Sequence, residues 1–276
     1  MTTWTRMTLI AALAVAGGAC EHKKPSETKT DDTANTEGKP TEGKPTEGKP
    51  SATTDGSGSA GALAPPSNPQ PDTPSPPPAL PSSADTVREP VAADLAEYVK
   101  DLPGTGDKLL AEIKTSEGTF HCELYGDKAT MTVANFVGLA TGKKAWKDPR
   151  TGDVMKGKPF YDGLIFHRVI DGFMIQGGDP LGEGTGGPGY DFAEETFPEL
   201  KHLPGTLSMA KTSQPHSTGS QFFVMEEANP GLDGGYSVFG RCKEVALVKK
   251  ITALRGPGDV PKKKVVIEKV TISKGG

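Results

Sequence analysis

One cation, one side-chain amide and a set of large apolar residues stand close together in this 276-residue chain. Phe166-His167-Arg168-Val169-Ile170-Asp171-Gly172-Phe173-Met174-Ile175-Gln176-Gly177-Gly178-Asp179 sets Arg168 and Gln176 among aromatic and aliphatic neighbours. Leu207-Ser208-Met209-Ala210 follows, then Gly219-Ser220-Gln221-Phe222-Phe223-Val224, then Leu232-Asp233-Gly234-Gly235-Tyr236-Ser237-Val238-Phe239-Gly240. A guanidinium keeps its charge across the working pH range. Beside apolar walls it acts in a low dielectric, where a fixed donor can stabilise developing electron density. From spacing alone, the same segment also fits a core strand pair with an arginine snorkelling at its rim.

Other chemistries lack their residues. Gly182-Glu183-Gly184-Thr185-Gly186-Gly187 matches G-x-G-x-x-G, but Pro188 and Gly189 follow where a helix would have to start. Asp148–Asp153 has no following Glu at the spacing of a calcium loop. The five His are neither paired at i, i+4 nor close to a Cys pair, so neither a metal nor a cofactor is expected. No G-x-S-x-G is present. Residues 107–276 carry a net charge of +1 and residues 1–106 of −5, which gives no electrostatic footprint for nucleic acid.

Together FHRVIDGFMIQGGDP, GTGGPGY, LSMA, GSQFF and LDGGYSVFG resemble the cyclophilin family of peptidyl-prolyl isomerases, in order and in approximate spacing, over about Leu109–Ser273. TVANFVGLA is similar to the family's first helix. The resemblance implies an all-β fold, a closed eight-stranded antiparallel barrel capped by two α-helices. It implies catalysis of cis/trans interconversion at X–Pro bonds, with proline-containing polypeptide segments as partners. On it, Arg168 matches the catalytic arginine, and Phe173, Met174, Phe223 and Leu232 match the wall of the proline pocket. Gln176 and Gln221 match the groups that hold the substrate backbone, Ala210 and Lys211 the rim, and His167 and Tyr236 flanking positions. The chain departs from the pattern at Asp171, where many members have Pro, at Gly231, where some place Trp, and in an added stretch, Lys143–Pro159. A non-catalytic proline-peptide-binding or chaperone module is the reading from a different functional class.

Positioning these groups calls for short strands. Lys108–Thr115 and Thr119–Tyr125 flank a turn at Ser116-Glu117-Gly118. Short apolar runs follow at Leu164–Ile170, Phe173–Gly177, Gly205–Met209, Gln221–Met225 and Val238–Cys242, with a last alternating strand at Lys264–Ser273. Helices are expected at Thr130–Ala140, stopped by Gly142, and at Val245–Leu254, closed by Gly256.

The first third reads differently. Of 25 Pro, 15 lie between Glu21 and Gly106, with Tyr98 the one aromatic among them. Such a stretch cannot offset its ordering entropy with apolar burial. Residues 1–19 read as a signal peptide, since Met7–Ala16 is an apolar run too short to span a bilayer. Cys20 is the expected lipid-attachment site of a lipoprotein on the periplasmic side of a bacterial membrane; an A-x-A pattern at Ala14–Ala16 is the rival cleavage, giving a soluble periplasmic protein. Residues 20–90 form the expected disordered tether, with TEGKP repeated three times; residues 91–106 a short amphipathic helix and linker; residues 107–276 the folded, monomeric domain. Lipidation of Cys20 leaves Cys122 and Cys242, either bridged or packed as two buried thiols. Cys20→Ala is expected to release the protein from the membrane fraction. Partition of the native form into the aqueous phase on detergent separation would instead mark cleavage after Ala16.

Overall fold

The computed structural model describes Pro81–Gly276; the signal, Cys20 and most of the expected tether lie outside these residues. The described elements are helix α1 (Asp94–Tyr98), strands β1 (Lys108–Thr115) and β2 (Gly118–Leu124), and helix α2 (Thr130–Thr141). They continue through β3 (Trp146–Lys147), β4 (Val154–Met155), β5 (Ile165–Phe166), β6 (Arg168–Ile170) and β7 (Met174–Gly177). Strands β8 (Thr206–Met209), β9 (Phe222–Met225) and β10 (Val238–Cys242), helix α3 (Val245–Thr252) and strand β11 (Val265–Gly275) complete the chain.

The main sheet is antiparallel and runs β5-β11-β1-β2-β10-β8-β9-β7-β6. It has nine strands where eight were expected. The difference arises at His167, which interrupts the expected strand Leu164–Ile170: Ile165–Phe166 pairs with β11, and Arg168–Ile170 pairs with β7. The two edge strands are thus separated by one residue of chain. The added stretch after α2 forms a separate two-stranded hairpin, β3–β4, which the sequence reading did not assign.

Strand alternation builds the interior. Inward positions of β1 and β2 (Ala111, Ile113, Phe120, Cys122, Leu124) are buried, while their neighbours face out. A cluster of rings from Phe136, Tyr161, Phe166, Phe222 and Phe239 fills the centre, mostly edge-on or tilted. Helix α2 is buried from Thr132 to Ala140, as expected of a helix apolar nearly all round. Its first amides, Met131 N and Thr132 N, donate to the Glu195 carboxylate at 3.1 and 2.6 Å. It ends where Gly142 turns to φ +74°, a left-handed cap that a glycine adopts without Cβ strain.

The expected tether boundary at residue 90 is corrected. Ser83 is buried and hydrogen-bonds the Tyr98 hydroxyl, and Ala145 N donates to Ser83 O at 2.7 Å. Arg88 pairs with Asp94 at 2.6 Å. The buried Lys144 ammonium donates to Arg88 O and lies 4.5 Å from the Tyr190 ring centroid. The short α1 could not stand alone. It is held because Tyr98 lies against Gly138 of α2, where a Cβ would come within 2.5 Å of the ring. No helix among the described residues is long and apolar enough to cross a membrane.

Cys122 and Cys242 are register partners of β2 and β10, and their sulfurs are bonded. Lys243 N donates to His121 O at 3.0 Å, so the pair occupies a site between ladder hydrogen bonds, where side chains approach closely. Of the two sequence readings, the structure takes the bridge. In a Cys20→Ala background, the unreduced denatured protein is expected to show no free thiol. Cys122→Ala with Cys242→Ala should lower stability by up to about 5 kcal/mol, the loop-entropy value for so long a loop; chemical denaturation measures it.

Candidate active site

Three short strands carry the site because their two faces differ. In β6, β7 and β9, Val169, Ile175 and Val224 point into the main core. The alternate positions face the other way: Arg168 and Ile170, Met174 and Gln176, Phe223 and Met225. Register then sets Arg168 opposite Gln176, and Gln176 opposite Phe223. Met174, Phe223 and Met225 form a second apolar cluster, joined by Ile170, Phe173, Ala210, Leu232 and Tyr236. Every residue expected to wall an apolar pocket is in it.

A directed chain of hydrogen bonds crosses the lip of this cluster. Arg168 Nη1 donates to Gln176 Oε1 at 3.3 Å, Gln176 Nε2 to Gln221 Oε1 at 2.9 Å, and Gln221 Nε2 to Gly184 O and Gly186 O at 3.0 and 2.9 Å. A guanidinium only donates, so the arginine sets the orientation of both amides. Ala210 N donates to Gln221 O at 2.9 Å, tying the expected rim to the same residue. Lys211 lies 3.5 Å from Glu194 and 5.4 Å from the Tyr236 ring centroid. Beyond Gln176 and Gln221 an open cleft of about 570 Å³ runs between Gly184–Gly187 and the Thr212–Ser217 loop.

The glycine-rich loop is wound on one carboxylate. Asp179 accepts from Leu181 N (2.7 Å), Glu183 N (2.9 Å), Gly184 N (2.5 Å) and Thr185 N (3.1 Å). Burial pushes this carboxyl up, but the backbone donors outweigh it and hold it below its ordinary range. The amides that a phosphate would need are therefore spent inside the chain. At Gly186 a Cβ would come within 2.1 Å of Asp179 Oδ1, so the turn requires glycine.

His167, expected at a flanking position, stands between β5 and β6 next to Arg168. It is buried beneath the loop, close to Gly184, and neither ring nitrogen has a hydrogen-bond partner in the protein. Burial pushes its imidazole down.

Three supporting residues were missed. His202 stacks on Phe223 with centroids 5.9 Å apart and planes 15° apart. Its ring nitrogens reach Asp233 Oδ1 (3.0 Å) and Ser208 Oγ (3.1 Å). Glu226 fixes the turn that presents Phe173: its carboxylate accepts from Gly172 N at 2.9 Å and Thr252 Oγ1 at 2.7 Å, and its own N–H donates to Phe173 O at 2.8 Å. Asp233 had appeared only as part of a motif, and nothing local marks His202 or Glu226. No cluster of three or more His, Cys, Asp or Glu among the described residues could hold a metal ion.

The family model described as cyclophilin-type peptidyl-prolyl cis-trans isomerase matches residues 110–272, the stretch that contains every strand of this site. The chain belongs to the cyclophilin family. It is 44% identical over 172 residues to peptidyl-prolyl cis-trans isomerase B of Streptomyces anulatus, covering 60% of this chain and 97% of that one. It is 45% identical over 168 residues to peptidyl-prolyl cis-trans isomerase A of Mycobacterium tuberculosis, covering 59% and 91%. A crystal structure of a Cryptosporidium parvum cyclophilin aligns with a TM-score of 0.52 at 30% identity, over 62% of this chain and all of that one. Another crystal structure of that protein was determined in the presence of the dipeptide Ala-Pro; it aligns with a TM-score of 0.51 at 31% identity, over 60% of this chain and 99% of that one. As a cyclophilin, the protein is a peptidyl-prolyl cis-trans isomerase, and residues 81–106, packed on the domain, lie outside the matched region.

The Asp179 carboxylate titrates below its unfolded value, so its stabilising effect is complete above the ordinary carboxylate range and is lost as pH falls through the depressed native value. Asp179→Asn is therefore expected to raise amide exchange at residues 181–185 by about tenfold or more at neutral pH, the scale of losing charge-assisted hydrogen bonds. In the wild type the same amides should lose protection on acidification before the β-strand amides do. Hydrogen exchange resolved by residue checks both.

Proposed function

We propose that the protein accelerates X–Pro rotation in polypeptides outside the cytoplasm, with Arg168 as the catalytic cation. Rotation about the bond is resisted by amide resonance and is slow without help. No bond to an external atom forms, so neither nucleophile nor metal is required. As the bond twists, the prolyl nitrogen loses conjugation and gains a usable lone pair. A guanidinium held beside it stabilises the twisted state more than either planar state, which is the condition for acceleration.

The observation that carries this reading is the seating of Arg168 at the lip of the Met174–Phe223–Met225 cluster, tied to Gln176. Phe173, Met174, Phe223 and Leu232 would hold the prolyl ring. Gln176, Gln221 and the Ala210 backbone would hold the flanking peptide. The Ala-Pro dipeptide named with the Cryptosporidium protein supports a proline-containing ligand. We read the sheet as a closed barrel, since β5 and β6, its two edges, are joined through His167 alone. Export and lipid anchoring through Cys20 rest on the sequence of residues 1–20.

Arg168→Ala is expected to lower turnover of a proline tetrapeptide by about a hundredfold, about 3 kcal/mol, the scale of losing one preorganised donor. Peptide binding should fall much less. Near wild-type turnover in the purified variant would remove Arg168 as the catalytic cation, whereas a wild type without turnover would leave the non-catalytic binding module as the better reading.

A further inference from the structure

Among the described residues, two that are not glycine adopt positive φ, and both lie beside this site: His216, at the cleft, and Asp259. Asp259 (φ +64°) closes the short turn Pro257–Asp259 between α3 and β11. An L-residue held there points to a constraint imposed by its side chain. The two carboxylate oxygens of Asp259 face two different arginines. Oδ1 receives Arg255 Nε at 2.8 Å and Nη2 at 2.6 Å, while Oδ2 lies 3.7 Å from Arg168 Nε. The turn itself is fixed by Gly256 N to Val260 O and Lys262 N to Leu254 O, each 2.8 Å.

We propose that Asp259 is the second positioning residue of the catalytic arginine, acting opposite Gln176. Arg168 is nearly half exposed, and a free arginine there would sample many rotamers. Gln176 accepts from Nη1 at 3.3 Å and the Asp259 carboxylate faces Nε at 3.7 Å, so acceptors flank the fork at two points along its length. Among the described residues no protein group accepts from Nη2, which leaves that donor for the twisting prolyl nitrogen. Asp259 is itself locked by Arg255, so the brace is built before substrate arrives. Apolar walls on other strands hold the prolyl ring, so this brace bears on turnover rather than on binding.

The inference rests on Arg168 being the catalytic cation, and the experiment separates the two claims. Full-length wild type, Asp259→Gly, Asp259→Asn and Arg168→Ala are assayed on one proline tetrapeptide with kcat and KM resolved, alongside thermal melting. Glycine fits the positive φ better than aspartate, so Asp259→Gly should melt no lower than wild type. Its kcat is expected to fall about five- to tenfold with KM within about twofold, because orientation is lost while the donor stays. Asp259→Asn tolerates the same backbone and keeps an acceptor oxygen, so it should recover part of that loss. Unchanged or increased kcat in Asp259→Gly while Arg168→Ala is crippled would overturn the proposal. So would a loss that appears only in KM, or that tracks a lowered melting temperature. Near wild-type turnover in Arg168→Ala would remove the catalytic reading and this inference with it.

Discussion

Strand side chains alternate, and the two faces of β6, β7 and β9 serve opposite purposes. One face (Val169, Ile175, Val224) is sealed in the aromatic core; the other (Arg168, Met174, Gln176, Phe223) is the surface proposed above to be catalytic. Position of the arginine therefore depends on packing that it never touches. A one-residue slip between β6 and β7 would swap the two sets and bury the guanidinium. The rigidity of the core is what makes a site on its outer face precise enough to act on a bond rotation.

Carboxylates hold the loops around that surface. Asp179 gathers four amides of the glycine-rich loop, Glu226 fixes Gly172 beneath Phe173, Glu195 caps α2, and Asp233 receives His202 N. In each case an acceptor with several lone-pair sites satisfies backbone donors that no helix or ladder would satisfy. Irregular chain thereby gains the fixed geometry that catalysis needs. This also explains how a domain rich in glycine can keep a defined rim: the glycines permit the turns, and the carboxylates choose among them.

Residues 81–106 extend the family domain rather than merely lead to it. Tyr98 settles on Gly138, and Lys144 links Arg88 O to the Tyr190 ring. The Tyr190 hydroxyl donates to Asn135 Oδ1 at 2.6 Å, and Asn135 Nδ2 donates to Gly219 O at 2.8 Å, two residues before Gln221. The segment is thus joined to the site by a continuous set of polar contacts through the added stretch after α2. Burial pushes the Lys144 ammonium down to about 8, in keeping with a cation that has exchanged water for one carbonyl and a ring.

Local pattern determined much of this protein. Short apolar runs marked β10 to the residue and β7, β8 and β9 to within one, alternation marked β11 to within two, and Gly142 marked the end of α2. The motifs shared with the cyclophilin family pointed to Arg168, Gln176, Gln221 and the apolar wall; spacing alone fitted a core strand pair with a snorkelling arginine equally. Tertiary structure decided what brings distant chain together. Asp259 reaches Arg168 across 91 residues, and Glu226 reaches Gly172 across 54. Composition reads as disordered up to residue 90 because Glu21–Gly106 offers one aromatic, Tyr98, and composition cannot reveal that Gly138 leaves room for that ring. The break at His167 was equally silent, since a seven-residue stretch flanked by apolar residues looks the same whether one strand or two are made from it. Periodicity records which face a residue takes; only the folded chain determines which residue it meets there.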